Sequence, residues 1–287
     1  MKKVFSLEDA FKSSEWQTSN LDYKVIIGQN INTGKLEVES LFRDGGLHYP
    51  PGGDGNFLVA SANVSGTGAM NFIRVMLACL MHKHSPDEVR FIIANCTNDF
   101  LEFEDSPYLF CPIIKDEQEL IEKSEWFSKD EIERRQSLIY KENDFKKYKN
   151  IMDFNSRTDG ERLPILVFVN TMMDLVYMHD AISAWRMAGS NRRCLGYYYG
   201  LTKITSVHSS FSVLNTASKK VVFKLTDPEM SKELIGDNSA LSLKGKGDMI
   251  YTDEDEYAFK DELKRLQAVY ADGDFIAEIA KSKKRSR

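Results

Sequence analysis

One stretch of the 287-residue chain has the residue types to do chemistry on phosphate: Ser61, Ala62, Asn63, Val64, Ser65, Gly66, Thr67 and Gly68. It follows the apolar run Asn56-Phe57-Leu58-Val59-Ala60. It precedes Met70, Ile73, Met76, Leu77 and Leu80, whose spacing by three and four marks the inward face of a helix. A strand, a small-residue loop and a helix in that order bring backbone N–H groups together at a helix start, which is an anion site. A complete phosphate-binding loop also ends in a lysine and a hydroxyl, and here Thr67 and Gly68 stand in those places. Taken alone, the loop is a weak indicator.

Other candidate groups point to less. His82-x-His84 at the end of the same helix reads as favourable charge near a helix C-terminus rather than as a metal site. Cys79, Cys96, Cys111 and Cys194 lie far apart, with no Cys-x-x-Cys pair and no matching histidine spacing, so they read as reduced core thiols and no metal is expected. Tyr197-Tyr198-Tyr199 alternates faces of a strand and is expected to be partly core. Arg192 and Arg193, with Lys283, Lys284 and Arg285 in the basic C-terminal tail, are candidate polyanion contacts, a surface salt bridge being the simpler reading for the first two and a solvated tail for the others. No catalytic triad or dyad can be nominated from spacing.

The elements that must position these groups follow from the pattern of apolar runs. Lys24-Val25-Ile26-Ile27 and Lys35-Leu36-Glu37-Val38 flank Asn32-Thr33-Gly34, a tight-turn sequence, and predict a hairpin. The Pro- and Gly-rich segment 49–55 is a loop. Continuous apolar runs at 89–94, 165–169, 194–198 and 221–225 predict buried parallel strands. The charged stretch 117–155, without glycine or proline, predicts one long helical insert or two, and 256–280 is a second amphipathic stretch, interrupted at Asp272-Gly273-Asp274. Alternation of strands with helical stretches makes the chain α/β with a mostly parallel central sheet. The expected organisation is an N-terminal segment 1–23, an α/β domain 24–255, and a C-terminal helical segment 256–287 with its basic tail.

Composition narrows the function. With 42% apolar residues the chain buries a sizeable core, and with 38 Lys+Arg against 43 Asp+Glu it lacks the general basic excess of a nucleic-acid coat. No apolar run approaches the roughly 20 residues of a membrane span, and the N-terminus does not read as an export signal. A cytoplasmic location is therefore expected.

From about Lys24 to Tyr251 the chain resembles the RecA-like motor domain of the FtsK/SpoIIIE DNA-translocase family, to which type VII secretion ATPases are related. Segments carry the resemblance in order: Phe57-Leu58-Val59-Ala60, Ser85-Pro86-Asp87-Glu88-Val89-Arg90-Phe91, Ser106-Pro107-Tyr108-Leu109, Glu131-Ile132-Glu133-Arg134-Arg135, Lys149 to Asn155, and Gly247-Asp248-Met249-Ile250-Tyr251. It implies a P-loop NTPase fold. It also implies that Thr67 replaces the loop lysine, Gly68 the magnesium-binding hydroxyl and Val64 a loop glycine. After Val169, Asn170 and Thr171 then replace an aspartate and the catalytic glutamate, whereas Asp174 matches a later family aspartate. A polar sensor glutamine and arginine are missing at the end of the strand that carries Tyr197 to Tyr199.

Phosphoryl transfer depends on electrostatic positioning by such a lysine, metal and carboxylate. Their loss implies a pseudo-ATPase without catalytic residues, in which Mg-ATP binding is weak or absent. The implied role is a structural, regulatory or partner-binding component of a DNA-translocation or type VII-like secretion machine. Expected partners are another protein or copies of the chain in a ring, with recruitment to a membrane-associated complex and weak or absent DNA binding. The rival reading is a divergent active ATPase whose lysine comes from a neighbouring subunit or from Lys203, Lys219 or Lys220. A C-terminal winged-helix DNA reader, which many FtsK-type proteins carry, is not expected after Tyr251.

Overall fold

A computed structural model describes residues 5–41, 57–139, 148, 150–172, 195–205, 217, 219–253 and 263–282. Its centre is five parallel strands: β3 (Phe57–Ala60), β4 (Val89–Ala94), β5 (Ile165–Asn170), β6 (Tyr197–Ile204) and β7 (Lys219–Phe223). Four antiparallel strands extend it on one side: β1 (Lys24–Asn30), β2 (Leu36–Ser40), β8 (Asp248–Asp253) and β9 (Lys264–Gln267). The order across the nine-stranded sheet is β2-β1-β9-β8-β7-β3-β6-β5-β4.

The strand that precedes the loop, β3, lies between β6 and β7. From it the chain runs through helix α3 (Ala69–Lys83) to β4 at the far edge, and only later returns through β7 on β3's other side. The order of strands reverses at β3, and in open α/β sheets ligands bind beyond the C-terminal strand ends at such a point. Strand β3 is buried throughout, as its unbroken Phe-Leu-Val-Ala demands. Alternation divides its contacts: Phe57 and Val59 join the larger core with Phe72, Ile73 and Met76 of α3. Leu58 and Ala60 join a smaller one with Ile204, Val222 and Leu234. The last of these lies on α7 (Pro228–Ile235), capped by Asp227 and closed by left-handed Gly236.

Short helices α1 (Leu7–Lys12) and α2 (Ser14–Thr18) cover the end of α3. Phe11 stacks on His82 at 4.0 Å and Tyr23 on His84 at 4.2 Å, so aromatic packing engages the two histidines. The insert is a continuous run of α4 (Glu117–Trp126), a π turn (Phe127–Glu131) and α5 (Ile132–Ile139), followed later by α6 (Ile151–Arg157).

Three sequence readings need correction. Strands β6 and β7 sit at 197–204 and 219–223 rather than at 194–198 and 221–225. The stretch 256–280 is not helical throughout: 264–267 is strand β9, between β1 and β8, and only α8 (Gly273–Ser282) is helical among its described residues. Cys96 is exposed, because it lies just beyond the end of β4, whereas Cys79 is a core thiol and Cys111 is half-buried. Burial pushes the Cys79 thiol up to about 12 and the Cys111 thiol up to about 11, so both stay protonated and inert. Cys194, Arg192, Arg193, Asp174, the segment 49–55 and the tail 283–287 lie outside the described residues.

Candidate functional site

The loop leaves β3 between its two parallel neighbours and is fastened to both. Ser61 N–H donates to the Ile204 carbonyl at 3.2 Å, and Ala62 N–H to the Lys224 carbonyl at 2.9 Å. Ser61 and Ala62 are buried, Asn63 to Gly66 are exposed, and Thr67 is buried again as the chain turns into α3. Gly66 (φ 81°) and Gly68 (φ 103°) take the left-handed conformations. Val64 does not, so the position where a β-branched residue would resist a positive φ has no need of one here.

The other wall of the loop comes from the turn into β8. Lys246 N–H donates to the Gly66 carbonyl at 2.8 Å and Gly247 N–H to the Thr67 carbonyl at 2.9 Å. Backbones touch here: a Cβ on Gly68 would lie 2.7 Å from both Cα and N of Gly247. The turn is itself pinned by Asp248, whose carboxylate accepts from Arg265 Nε at 3.0 Å, Arg265 Nη2 at 2.7 Å and Lys244 N–H at 2.9 Å. Gly68 caps α3 without a side-chain hydrogen bond, and the first turn of that helix holds no acidic residue. Its positive end is therefore not offset from within the helix.

Two strands away, β5 ends on Asn170 and Thr171. Both are buried. Thr171 Oγ1 accepts from Asn95 Nδ2 at 2.7 Å and donates to the Ala94 carbonyl at 3.2 Å, so its hydroxyl is spent on tying β5 to β4. Asn170 Oδ1 accepts from Met172 N–H at 3.2 Å, while its Nδ2 has no acceptor. Neither side chain carries charge. Strand β6, between these two sets, brings Lys203 to the same end of the sheet, opposite Val59. Burial lowers its ammonium pKa, with Asp99 and Cys96 opposing that shift.

A family model described as the FtsK/SpoIIIE family matches residues 6–195. The chain belongs to the FtsK/SpoIIIE family. Among curated proteins, a "DNA translocase FtsK" of Leptospira interrogans is 27% identical over 229 residues, 76% of this chain and 23% of that protein. This FtsK/SpoIIIE chain thus spans about a quarter of that relative's length. Among solved structures, the cytoplasmic domain of the Thermomonospora curvata type VII secretion ATPase EccC superposes with a TM-score of 0.75 at 17% identity, covering 99% of this chain and 35% of that one. The pCW3 conjugation coupling protein TcpA, solved as a monomer form with ATPgS, superposes at 0.66 with 16% identity, covering 98% and 74%. These likenesses establish a RecA-like P-loop fold.

The sequence-nominated residues of this FtsK/SpoIIIE domain thus gather in part. The loop 61–68 and the pair Asn170 and Thr171 share the C-terminal edge of the parallel strands, as does Lys203. Lys219 and Lys220 do not: they pair with Phe57 and Leu58 at the opposite end of β3. Lys219 is buried there with its Nζ 2.7 Å from the Ser40 carbonyl, which removes both from the loop's vicinity. Sequence reasoning missed Asn95 and the 245–247 turn. The turn's two glycines were the available signal. Among the described residues, no group of three or more His, Cys, Asp or Glu could hold a metal ion, and no helix is long and apolar enough to cross a membrane.

Proposed function

We propose that the chain is a catalytically silent FtsK/SpoIIIE-type domain, a pseudo-ATPase that serves as a structural, regulatory or partner-binding component of a DNA-translocation or type VII-like secretion machine. The observation that carries this reading is the state of the strand and loop ends. Where the family resemblance puts a lysine, a magnesium-binding hydroxyl and two carboxylates, the chain has Thr67, Gly68, Asn170 and Thr171, and the Thr171 hydroxyl is already committed to Asn95 and Ala94. These residues do not fit Mg-ATP: none balances magnesium charge or takes a proton from water, so no hydrolytic step is derived through them. Losing charge-assisted contacts worth roughly 1.5–3 kcal/mol each at two positions weakens nucleotide binding by at least about two orders of magnitude.

Such a domain acts through its surfaces, in assemblies of its own copies or docked on an active relative, at a membrane-associated machine served from the cytoplasm. The test is calorimetric titration with Mg-ATP together with a phosphate-release assay. Neither tight binding nor turnover is expected, and micromolar binding with magnesium-dependent release would overturn the reading. The rival, a divergent ATPase with a relocated lysine, draws support from the position of Lys203 alone. It requires that turnover exist and vanish in Lys203→Ala.

A further inference from the structure

A cavity of about 630 Å³ is lined by residues between Glu104 and Lys115, none of which belongs to the loop 61–68, β5 or β6. Leu109 bridges to Phe91 and Ile114 to Ala94, so five residue steps run beside three of β4 and the chain bows outward between them. The bow gives the cavity an apolar wall of Phe110, Cys111 and Ile113, and the turn before it supplies Glu104, Asp105 and Ser106. The Phe110 ring lies 5.9 Å from that of Trp126, which is 40% exposed and continues the apolar surface. Glu104 is paired with Lys115 at 3.1 Å. The Asp105 carboxylate forms no hydrogen bond or ion pair among the described residues.

Charge is divided between this segment and the end of the chain. Residues 102–125 hold eight Asp or Glu against two Lys, whereas residues 281–287 hold five Lys or Arg and no acid. Helix α8 brings the two together. Ser106 Oγ, on the cavity wall, donates to the Ala280 carbonyl at 2.8 Å, and α8 ends only two residues later at Ser282. The five residues that follow reach at most about 17 Å, which keeps their cations close to that wall. A Lys or Arg side chain suits an apolar wall with an acidic rim, because its stem packs on the first while its head stays with the second. Aromatic ring faces attract the same cations.

We infer that this cavity is the docking site of the chain's own basic tail, residues 283–287, with Asp105 and Glu104 taking its cations and Phe110 their stems. Docked there, the tail has its charge met by protein carboxylates and is withheld from polyanions. The inference stands apart from the nucleotide loop and does not depend on the pseudo-ATPase reading.

A synthetic peptide of residues 281–287, followed by fluorescence anisotropy, tests it on the whole chain and on a whole-chain variant whose tail is neutralised by Lys283→Ser, Lys284→Ser, Arg285→Ser and Arg287→Ser. The peptide should bind the neutralised variant saturably, and more weakly as salt rises. It should bind the parent at least about tenfold more weakly, because the parent's own tail competes at high effective concentration. In the neutralised variant, Glu104→Gln with Asp105→Asn should weaken peptide binding about tenfold, and Phe110→Ala several-fold. Asn tolerates the left-handed φ of 63° at position 105. Thermal melts show whether each variant is folded, and the two carboxylate changes carry the test if Phe110→Ala is not. In the parent, Glu104→Gln with Asp105→Asn should free the tail and raise duplex DNA affinity several-fold, a gain that vanishes when the tail is neutralised. Equal peptide affinity for parent and neutralised variant, peptide binding indifferent to both carboxylates, or a duplex gain that survives tail neutralisation overturns the inference. So does peptide exclusion by the parent that appears only at concentrations where the parent self-associates, which would assign the tail to a neighbouring copy.

Discussion

Gly68 is held by two constraints at once, a left-handed backbone and contact with the Gly247 backbone. Any side chain there must both strain φ and push two backbones apart, so Gly68→Ala is expected to cost about 2–3 kcal/mol in urea denaturation. Gly66→Ala, also left-handed but with nothing within 4 Å of its new Cβ, should cost only about 1 kcal/mol. Equal costs would mean that the Gly68–Gly247 contact is not tight. A serine at 68 meets the same obstacle, so supplying the hydroxyl alone does not rebuild a metal site. Asp248 holds the other side of this contact. Burial disfavours its charged form, but the Arg265 fork and the Lys244 N–H outweigh that and hold its carboxyl below the usual range. A depressed folded pKa stabilises fully above the unfolded value of about 3.9 and fades as pH falls through the folded one. Asp248→Asn should therefore lose about 1 kcal/mol at pH 7, a modest figure because Arg265 is partly solvated, and should approach the parent only as pH falls through the depressed folded pKa of Asp248. A constant deficit across that range would assign the loss to packing instead. The types and order of the loop residues were legible in the sequence. The partner of Gly68 was not, because it arrives from a turn far along the chain, and nothing local marks Thr171 for Asn95.

Arg135 shows how the helical insert is fixed to the sheet. Its side chain is fully buried, with Nε 2.8 Å from Glu131 and Nη1 2.8 Å from the Pro164 carbonyl and 2.9 Å from that of Leu195. One guanidinium thus joins α5 to the starts of β5 and β6. Glu131 is pushed up by burial but drawn down more strongly by Arg134 and Arg135, and the net shift is downward. Breaking such a buried pair leaves a charge uncompensated, so Arg135→Met should destabilise by about 3–5 kcal/mol. Arg135→Lys should recover little, since one ammonium cannot reproduce the fork. Glu131→Gln added to Arg135→Met should cost less than the sum of the two single changes, and additivity in a double-mutant cycle would deny the pairing. The Arg-Arg pair was visible in the sequence, but which arginine is buried was not. Strand β9 was missed for a related reason. Lys264-Arg265-Leu266-Gln267 has one apolar residue, and its charges are met sideways, by Glu37 at 3.2 Å and by Asp248, instead of by water. The shifts in β6 and β7 have a similar source: Lys219 and Lys220 open a buried strand, which apolar patterning does not anticipate.

For the molecule as a whole, the parallel centre was legible because fully buried strands read as unbroken apolar runs, whereas the antiparallel extension was only half legible because β9 offers no such run. Charge sets the expectation for partners. At a net charge of −5, duplex DNA meets scattered basic residues, and the densest group is the tail from Lys281 to Arg287. Few neutralised phosphates release few counterions, so the logarithm of DNA affinity should fall only shallowly with that of salt, at about 0.9 per phosphate contacted. Deleting residues 281–287 should remove most of the remaining DNA affinity in a salt titration. On the proposed pseudo-ATPase reading, the domain instead exerts its effect through contacts with neighbouring subunits or a partner. Native mass spectrometry of the same truncated chain should therefore show its assembly or its partner complex unchanged by loss of the tail. A truncated chain that remains monomeric, captures no partner, and still binds duplex at submicromolar concentration in physiological salt would reverse the assignment and make this a DNA-binding domain.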